Sequence, residues 1–182
     1  MKEISLHILD LVQNSVSAGA GLIEIIIEEN LINDFMKVTI KDDGCGMDKD
    51  LVEKIRNPFF TTRTTRKVGL GIPLMEAACE RCQGNLTIES EKGFGTIVVA
   101  YLKHSHIDRA PLGNMADTFI AIILGKSDID YIYKHIVNDK VFTIDTRQLK
   151  EILGEEVSIS SSDVLAWIND YVNEGLQNLM EV

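Results

Sequence analysis

The chain has 182 residues and carries 18 Lys and Arg against 28 Asp and Glu, a formal net charge of −10 with a pI of about 4.8. That length suits one ordinary domain with a small appendage, and the acidity argues against partnership with bulk nucleic acid or an acidic membrane surface. No apolar run reaches the length of a membrane span, the N-terminus reads as an amphipathic helix rather than a secretory signal, and three cysteines are an odd count suited to a reducing compartment, so a cytoplasmic protein is expected.

In chain order the periodicity predicts a helix over 3–18, strands over 22–29 and 35–42, a helix over 48–56, a lid over 57–68, a helix over 70–83, and strands over 84–91 and 95–102. Ile23-Glu-Ile-Ile-Ile27 is nearly continuous apolar sequence, as a strand buried beneath helices needs. The expected fold is α/β: a two-layer sandwich in which helices cover one face of a mixed sheet, occupying residues 1–103. From His104 the composition shifts, and residues 104–182 carry 6 basic and 13 acidic side chains, a net of −7. This region reads as a small α/β extension with a helix at 112–124, a hairpin at 129–137 and 140–145 turning at Asn138-Asp139, and a short helix at 146–153. A last helix after a Ser162 cap lines up Val164, Ile168, Tyr171, Val172, Leu176 and Leu179, with Trp167 nearby. That stripe either closes the core or forms a dimer or partner surface.

Three stretches carry chemistry. On the first helix Asp10 and Asn14 stand i, i+4, about 40° apart around the axis, so both can point into one cleft. A carboxamide oxygen suits Mg²⁺, a hard cation that keeps several waters and completes its shell with phosphates, while Asp10 can hold or deprotonate a water beside it. Next comes Asp42-Asp-Gly-Cys-Gly-Met47 at a strand end. Then Lys54, Arg56, Arg63, Arg66 and Lys67 fall between Glu53 and Glu76 with no acidic residue among them. A basic island in an acidic chain wants an anion, and its threonines add hydroxyls, so residues 57–68 are read as a mobile lid over a triphosphate, pinned by Phe59 and Phe60. Gly69-Leu70-Gly71 opens the following helix, whose unpaired N–H groups favour a phosphate; Pro73 is at ease in its first turn. Cys79-Glu-Arg-Cys82 has C-x-x-C spacing inside a predicted helix, without a second pair, and is read as reduced, packed thiols.

Taken together over residues 4–103, these segments resemble the ATP-binding domain shared by gyrase, heat-shock proteins of the Hsp90 type, histidine kinases and mismatch-repair ATPases. ILDLVQNSVSAGA and DDGCGMDKD look most like the mismatch-repair branch, whereas NPFFTT, GLG and the strand pair closing around Gly95 and Thr96 look most like histidine kinases. The resemblance implies ATP or ADP with Mg²⁺ as ligands. It makes Asn14 the metal ligand, Asp43 the acceptor of the adenine amino group, and Gly44 and Gly46 points of close approach to the base. Ala18, Met47, Phe59, Thr61, Arg63, Arg66, Lys67, Gly69, Leu70, Gly71 and Thr96 would complete the nucleotide site.

Two departures bear on mechanism. Histidine kinases often carry a glycine where this chain has Lys67, which stiffens the loop and adds a cation. The ATP-hydrolysing branches place a glutamate at Asp10; the shorter side chain sets the carboxylate back by about 1.5 Å, and a misplacement of that order can lower a rate by about two orders of magnitude. The sequence also starts almost on the Asn14 helix, with no phosphoacceptor hairpin before it. The favoured expectation is therefore a histidine-kinase-like enzyme acting on a separate phosphoacceptor or regulatory partner. An ATP-hydrolysing switch of the mismatch-repair or chaperone type, and a nucleotide sensor of low turnover, are the alternatives, and a homodimer is compatible with each.

Overall fold

The computed structural model describes residues 2–56 and 70–181, which form six helices and one six-stranded sheet. In chain order the elements are α1 (Ile4–Ser17), β1 (Leu22–Asn30), β2 (Phe35–Asp42), α2 (Lys49–Ile55), α3 (Gly71–Arg81), β3 (Asn85–Glu91), β4 (Gly95–Lys103), α4 (Met115–Gly125), β5 (Asp130–Val137), β6 (Lys140–Asp145), α5 (Thr146–Leu153) and α6 (Ser162–Met180).

The strands lie in the order β3-β4-β2-β1-β5-β6, antiparallel except for the parallel pair β1 and β5. Register follows from the period of two along each strand. Ile25 pairs with Ile40 on one side and Tyr133 on the other, and Ile40 pairs with Val98, so one continuous apolar row crosses the sheet and faces the helices. Above it α3 packs on β3 and β4, α1 on α3, β2 and α4, and α6 on α4, β5 and β6. The opposite face carries half-exposed residues, including the Lys37–Glu28 and Lys41–Glu24 ion pairs and the stacked rings of Phe35 and Tyr101, 5.3 Å apart.

Residues 104–181 thus extend the same sheet and the same core. The junction also caps α1: with no side-chain cap at Glu3, the first amides of the helix are satisfied by backbone, Ile4 N donating to Pro111 O and Ser5 N to Leu112 O. The hairpin turns at Asn138, whose φ of 51° and side-chain bond from Leu31 N fix β5–β6 to the β1–β2 turn.

Helix α6 differs from its expected form in two details. Its cap is Ser161, without a side-chain hydrogen bond, and Ser162 is its first helical residue. The apolar stripe also divides: Ile168, Val172 and Leu179 are buried, Val164 and Leu176 are half-buried against the core, and Trp167 and Tyr171 face outward. Gly175 permits this seating, because a Cβ there would lie 2.2 Å from the Phe142 ring of β6.

Candidate functional site

The end of β2 sets the geometry of the site. Met36, Val38, Ile40 and Asp42 alternate onto the helix-covered face, so the strand delivers the Asp42 carboxylate, only 8% exposed, into the helix layer. Asp42 Oδ2 accepts from Ser15 Oγ of α1 at 2.6 Å, and Oδ1 accepts from Gly44 N at 2.9 Å. Charge-assisted bonds from a buried hydroxyl and a backbone amide hold this anion in one orientation.

Asp43, one residue on, lies on the other side and is exposed. Its Oδ1 accepts from Gly21 N at 2.7 Å and Leu22 N at 2.9 Å, clamping the turn that leads into β1. The expectation that Asp43 is the acceptor aimed into the pocket is therefore corrected. A shift of one residue reverses the face of an extended chain, and the inward carboxylate is Asp42.

The loop after β2 closes over the same end. Cys45 N donates to Ala18 O, and Gly44 lies against Ala18 and Asp42, where an added Cβ would be 3.0 Å from the Ala18 methyl and 2.9 Å from Asp42 Oδ1. Gly46 has φ of 61°, and a Cβ there would fall 1.9 Å from Glu91 O. These glycines admit protein atoms, with the β3–β4 turn accounting for Gly46. Met47 N donates to Ser90 Oγ at 2.8 Å; that hydroxyl donates to Gly95 O and lies 2.9 Å from Thr96 Oγ1. Thr96 is the cross-strand partner of Asp42, so both project from the same face.

On the other side, α1 presents half-buried Asp10 and Asn14 to the start of α3. An added Cβ on Gly71 would lie 3.4 Å from Asp10 Cβ and 3.5 Å from Asn14 Nδ2, so the first amides of α3 come up beside these two side chains. Leu70 is the N-cap and is exposed, without a side-chain cap bond. The structure therefore brings Gly71 to Asp10 and Asn14, Gly44 to Ala18 and Asp42, and Gly46 and Met47 to the β3–β4 turn beside Thr96. Phe59, Thr61, Arg63, Arg66, Lys67 and Gly69, with the expected lid over 57–68, lie outside the described residues. Sequence reasoning missed Asp42, Ser15 and Ser90. The alternation of β2 counted forward from Met36 marks Asp42, whereas the two serines depend on contacts distant in sequence.

Among the described residues no three His, Cys, Asp or Glu side chains are grouped to hold a metal. The donor set that is present, a carboxamide beside a carboxylate at a helix N-terminus, suits Mg²⁺ carried largely by water and phosphate. Cys79 and Cys82 are buried and free; burial pushes the Cys79 thiol up to about 12 and also raises Cys82, so neither is a ready thiolate.

His7, one turn before Asp10, is buried with Nδ1 unpartnered among the described residues. Burial first, then the N-terminal charge, holds its pKa below 6.5 against the pull of Asp10. A histidine kept neutral by the fold favours unfolding wherever the unfolded chain protonates and the folded one does not, so stability falls as pH drops below 6.5. His7→Leu should remove that component and leave neutral-pH stability unchanged or improved. The melting temperatures of both proteins at about pH 7.5 and about pH 5.5 check this: the wild type should lose more than the variant.

The fold is an α/β sandwich, a mixed sheet covered on one face by helices. The chain belongs to the family of histidine kinase-, DNA gyrase B- and HSP90-like ATPases, whose model matches residues 2–106. It is similar to a signal transduction histidine-protein kinase of Escherichia coli, 34% identical over 96 residues covering 52% of this chain and 15% of that protein. It is also similar to sporulation kinase E of Bacillus subtilis, 31% identical over 97 residues covering 53% and 13%. The chain thus spans less than a fifth of the length of either relative. The crystal structure of the N-terminal domain of a DNA repair protein shares the fold, with a TM-score of 0.54 and 14% identity, over 85% of this chain and 58% of that one.

Proposed function

We propose that this chain binds ATP and ADP with Mg²⁺ and passes the γ-phosphoryl group to a residue on a separate regulatory protein, as a histidine-kinase-like phosphotransferase. The observation that carries the reading is the Asp42 carboxylate, held by Ser15 and Gly44 at one end of the sheet while α1 offers Asp10 and Asn14 to the start of α3. Asp42 accepts the adenine amino group. Thr96, beside it, shapes the base pocket. Asn14 lends its carboxamide oxygen to the metal, and the α3 amides face the phosphates. Mg²⁺ held there would supply neutralisation of phosphate charge, and Asp10 would orient a water beside it. The basic run from Arg63 to Lys67 has a phosphate role on charge alone.

Nucleotide at about a hundred times its dissociation constant adds roughly 2.7 kcal/mol, raising the melting temperature of a chain this size by about 5 to 10 °C. GTP should do much less, because guanine presents a carbonyl where Asp42 needs a donor. An equal shift with GTP would remove the adenine assignment.

The second reading, an ATP-hydrolysing switch, rests on Asp10 standing beside Asn14 and the start of α3, where a base could activate water. Incubation with γ-labelled ATP and candidate partners, following labelled protein and free phosphate together, separates the two. Under the kinase reading Asp10→Glu leaves transfer to the partner unimproved. If the chain is a hydrolase held back by a short base, the same change speeds phosphate release by about tenfold, and Asp10→Asn nearly silences it. Brisk wild-type release with no labelled partner would favour the switch.

A further inference from the structure

Helix α6 carries the chain's one tryptophan on its outer face. Trp167 and Tyr171 are 50% and 41% exposed and stack one turn apart, ring centroids 5.0 Å and planes 10° from parallel. Beneath them the buried Phe142 ring of edge strand β6 lies 5.4 Å from Tyr171, so the pair stands on the core. Exposed Asp163, Asp170 and Glu174 fall on the same stripe at helical spacing. Among the described residues none of the three forms an ion pair, and no Lys, Arg or His occurs after Lys150 to supply one from this end of the chain.

The charge pattern chooses the occupant. A second copy docking by the same face across a two-fold axis would set these carboxylates against their equivalents, and like charges so placed repel. Nucleic acid and anionic membrane are repelled for the same reason. A cationic segment is attracted. Arginine fits best: its planar guanidinium lies flat on an exposed aromatic ring while its edge donates to a neighbouring carboxylate, a double match that a lysine ammonium makes less well. Exposed Trp and Tyr are also the side chains that most often anchor protein interfaces. We propose that the outer face of α6 is a docking surface for an arginine-bearing segment of a partner protein. It lies over β5 and β6, so docking there leaves the site at the end of β2 clear.

Trp167 is its own reporter. An acetylated, amidated octapeptide of alternating arginine and glycine, titrated into the full chain, should change Trp167 emission saturably, and the same peptide with citrulline for arginine should not. Asp163→Asn/Asp170→Asn/Glu174→Gln should weaken binding by about tenfold. The charge-matched Glu151→Gln/Glu155→Gln/Glu156→Gln should change it by less than about twofold. Equal weakening in both triples would reduce the effect to net charge and overturn the proposal, as would equal binding of the citrulline peptide or no emission change. A wild-type dimer that Trp167→Ala dissociates would make a second copy the occupant and overturn it as well.

Discussion

Asp42→Asn should abolish most adenine-nucleotide binding, while Asp43→Asn should leave it within about twofold. The two side chains are adjacent in sequence and chemically identical, so the contrast isolates direction. In Asp42→Asn the fold can keep its local bonds: the amide oxygen still accepts from Gly44 N, and the Ser15 hydroxyl can turn to accept from the new NH₂. What is lost is the charged acceptor. A hydrogen bond to a charged group contributes roughly 1.5 to 3 kcal/mol, and the desolvation left by a mismatched donor adds to the loss, so affinity should fall by about a hundredfold or more. Asp43→Asn keeps the oxygen that accepts from Gly21 N and Leu22 N. Asp43→Ala loses it and should lower stability by about 1 kcal/mol while binding is retained. Calorimetric titration with ADP and Mg²⁺, paired with urea unfolding, measures both. Loss of binding in Asp43→Asn with binding intact in Asp42→Asn would return the acceptor role to Asp43.

That contrast marks where local sequence stops being informative. The i, i+4 pairing of Asp10 with Asn14, the apolar run of β1 and the Asn138 turn are decided by neighbours a few residues away, and the structure forms each where the periodicity places it. Which of two successive acids points inward depends on the register of β2 against β1 and β4, a long-range property. Ser15 is invisible to local reasoning for the same reason, since its partner Asp42 is 27 residues away. The joining of the C-terminal region to the first sheet rests on the parallel pairing of β1 with β5, which periodicity within either strand does not encode. The α6 stripe is apolar enough to read as one surface; because the core admits only part of it, Trp167 and Tyr171 remain outside.

Glu29→Ala should be among the most destabilising single changes in the protein, costing about 3 to 5 kcal/mol. Glu29 occupies an inward position of β1, in phase with Ile23, Ile25 and Ile27, and is 6% exposed. A carboxylate there is tolerated because two imidazoles share it. His135 Nε2 lies 2.8 Å from Oε1 and His104 Nε2 2.8 Å from Oε2, while the Tyr133 hydroxyl lies 2.7 Å from His135 Nδ1. With Glu29 ionised, both Nε2–H groups donate to it and Tyr133 donates to His135 Nδ1, so the side-chain polar atoms of these four residues satisfy one another. The alanine variant strands the Nε2–H of His135, itself 1% exposed, whereas His104 can turn toward water. His104→Ala should accordingly cost only about 1 kcal/mol. The pH response has a definite sign. Burial acts to raise the Glu29 pKa, but hydrogen bonds from His135 and then His104 outweigh it and hold the carboxyl below 4.5. A depressed carboxyl contributes stability that is fully present above the unfolded value of 4.5 and is lost as pH falls through the lower folded value. Urea unfolding at neutral pH and again in steps below pH 4.5 tests both parts: the wild type should lose stability across that window more steeply than Glu29→Ala. An alanine variant within about 1 kcal/mol of wild type at neutral pH would mean that water replaces the carboxylate between the histidines, and the buried pair would not be what ties β1 to β5.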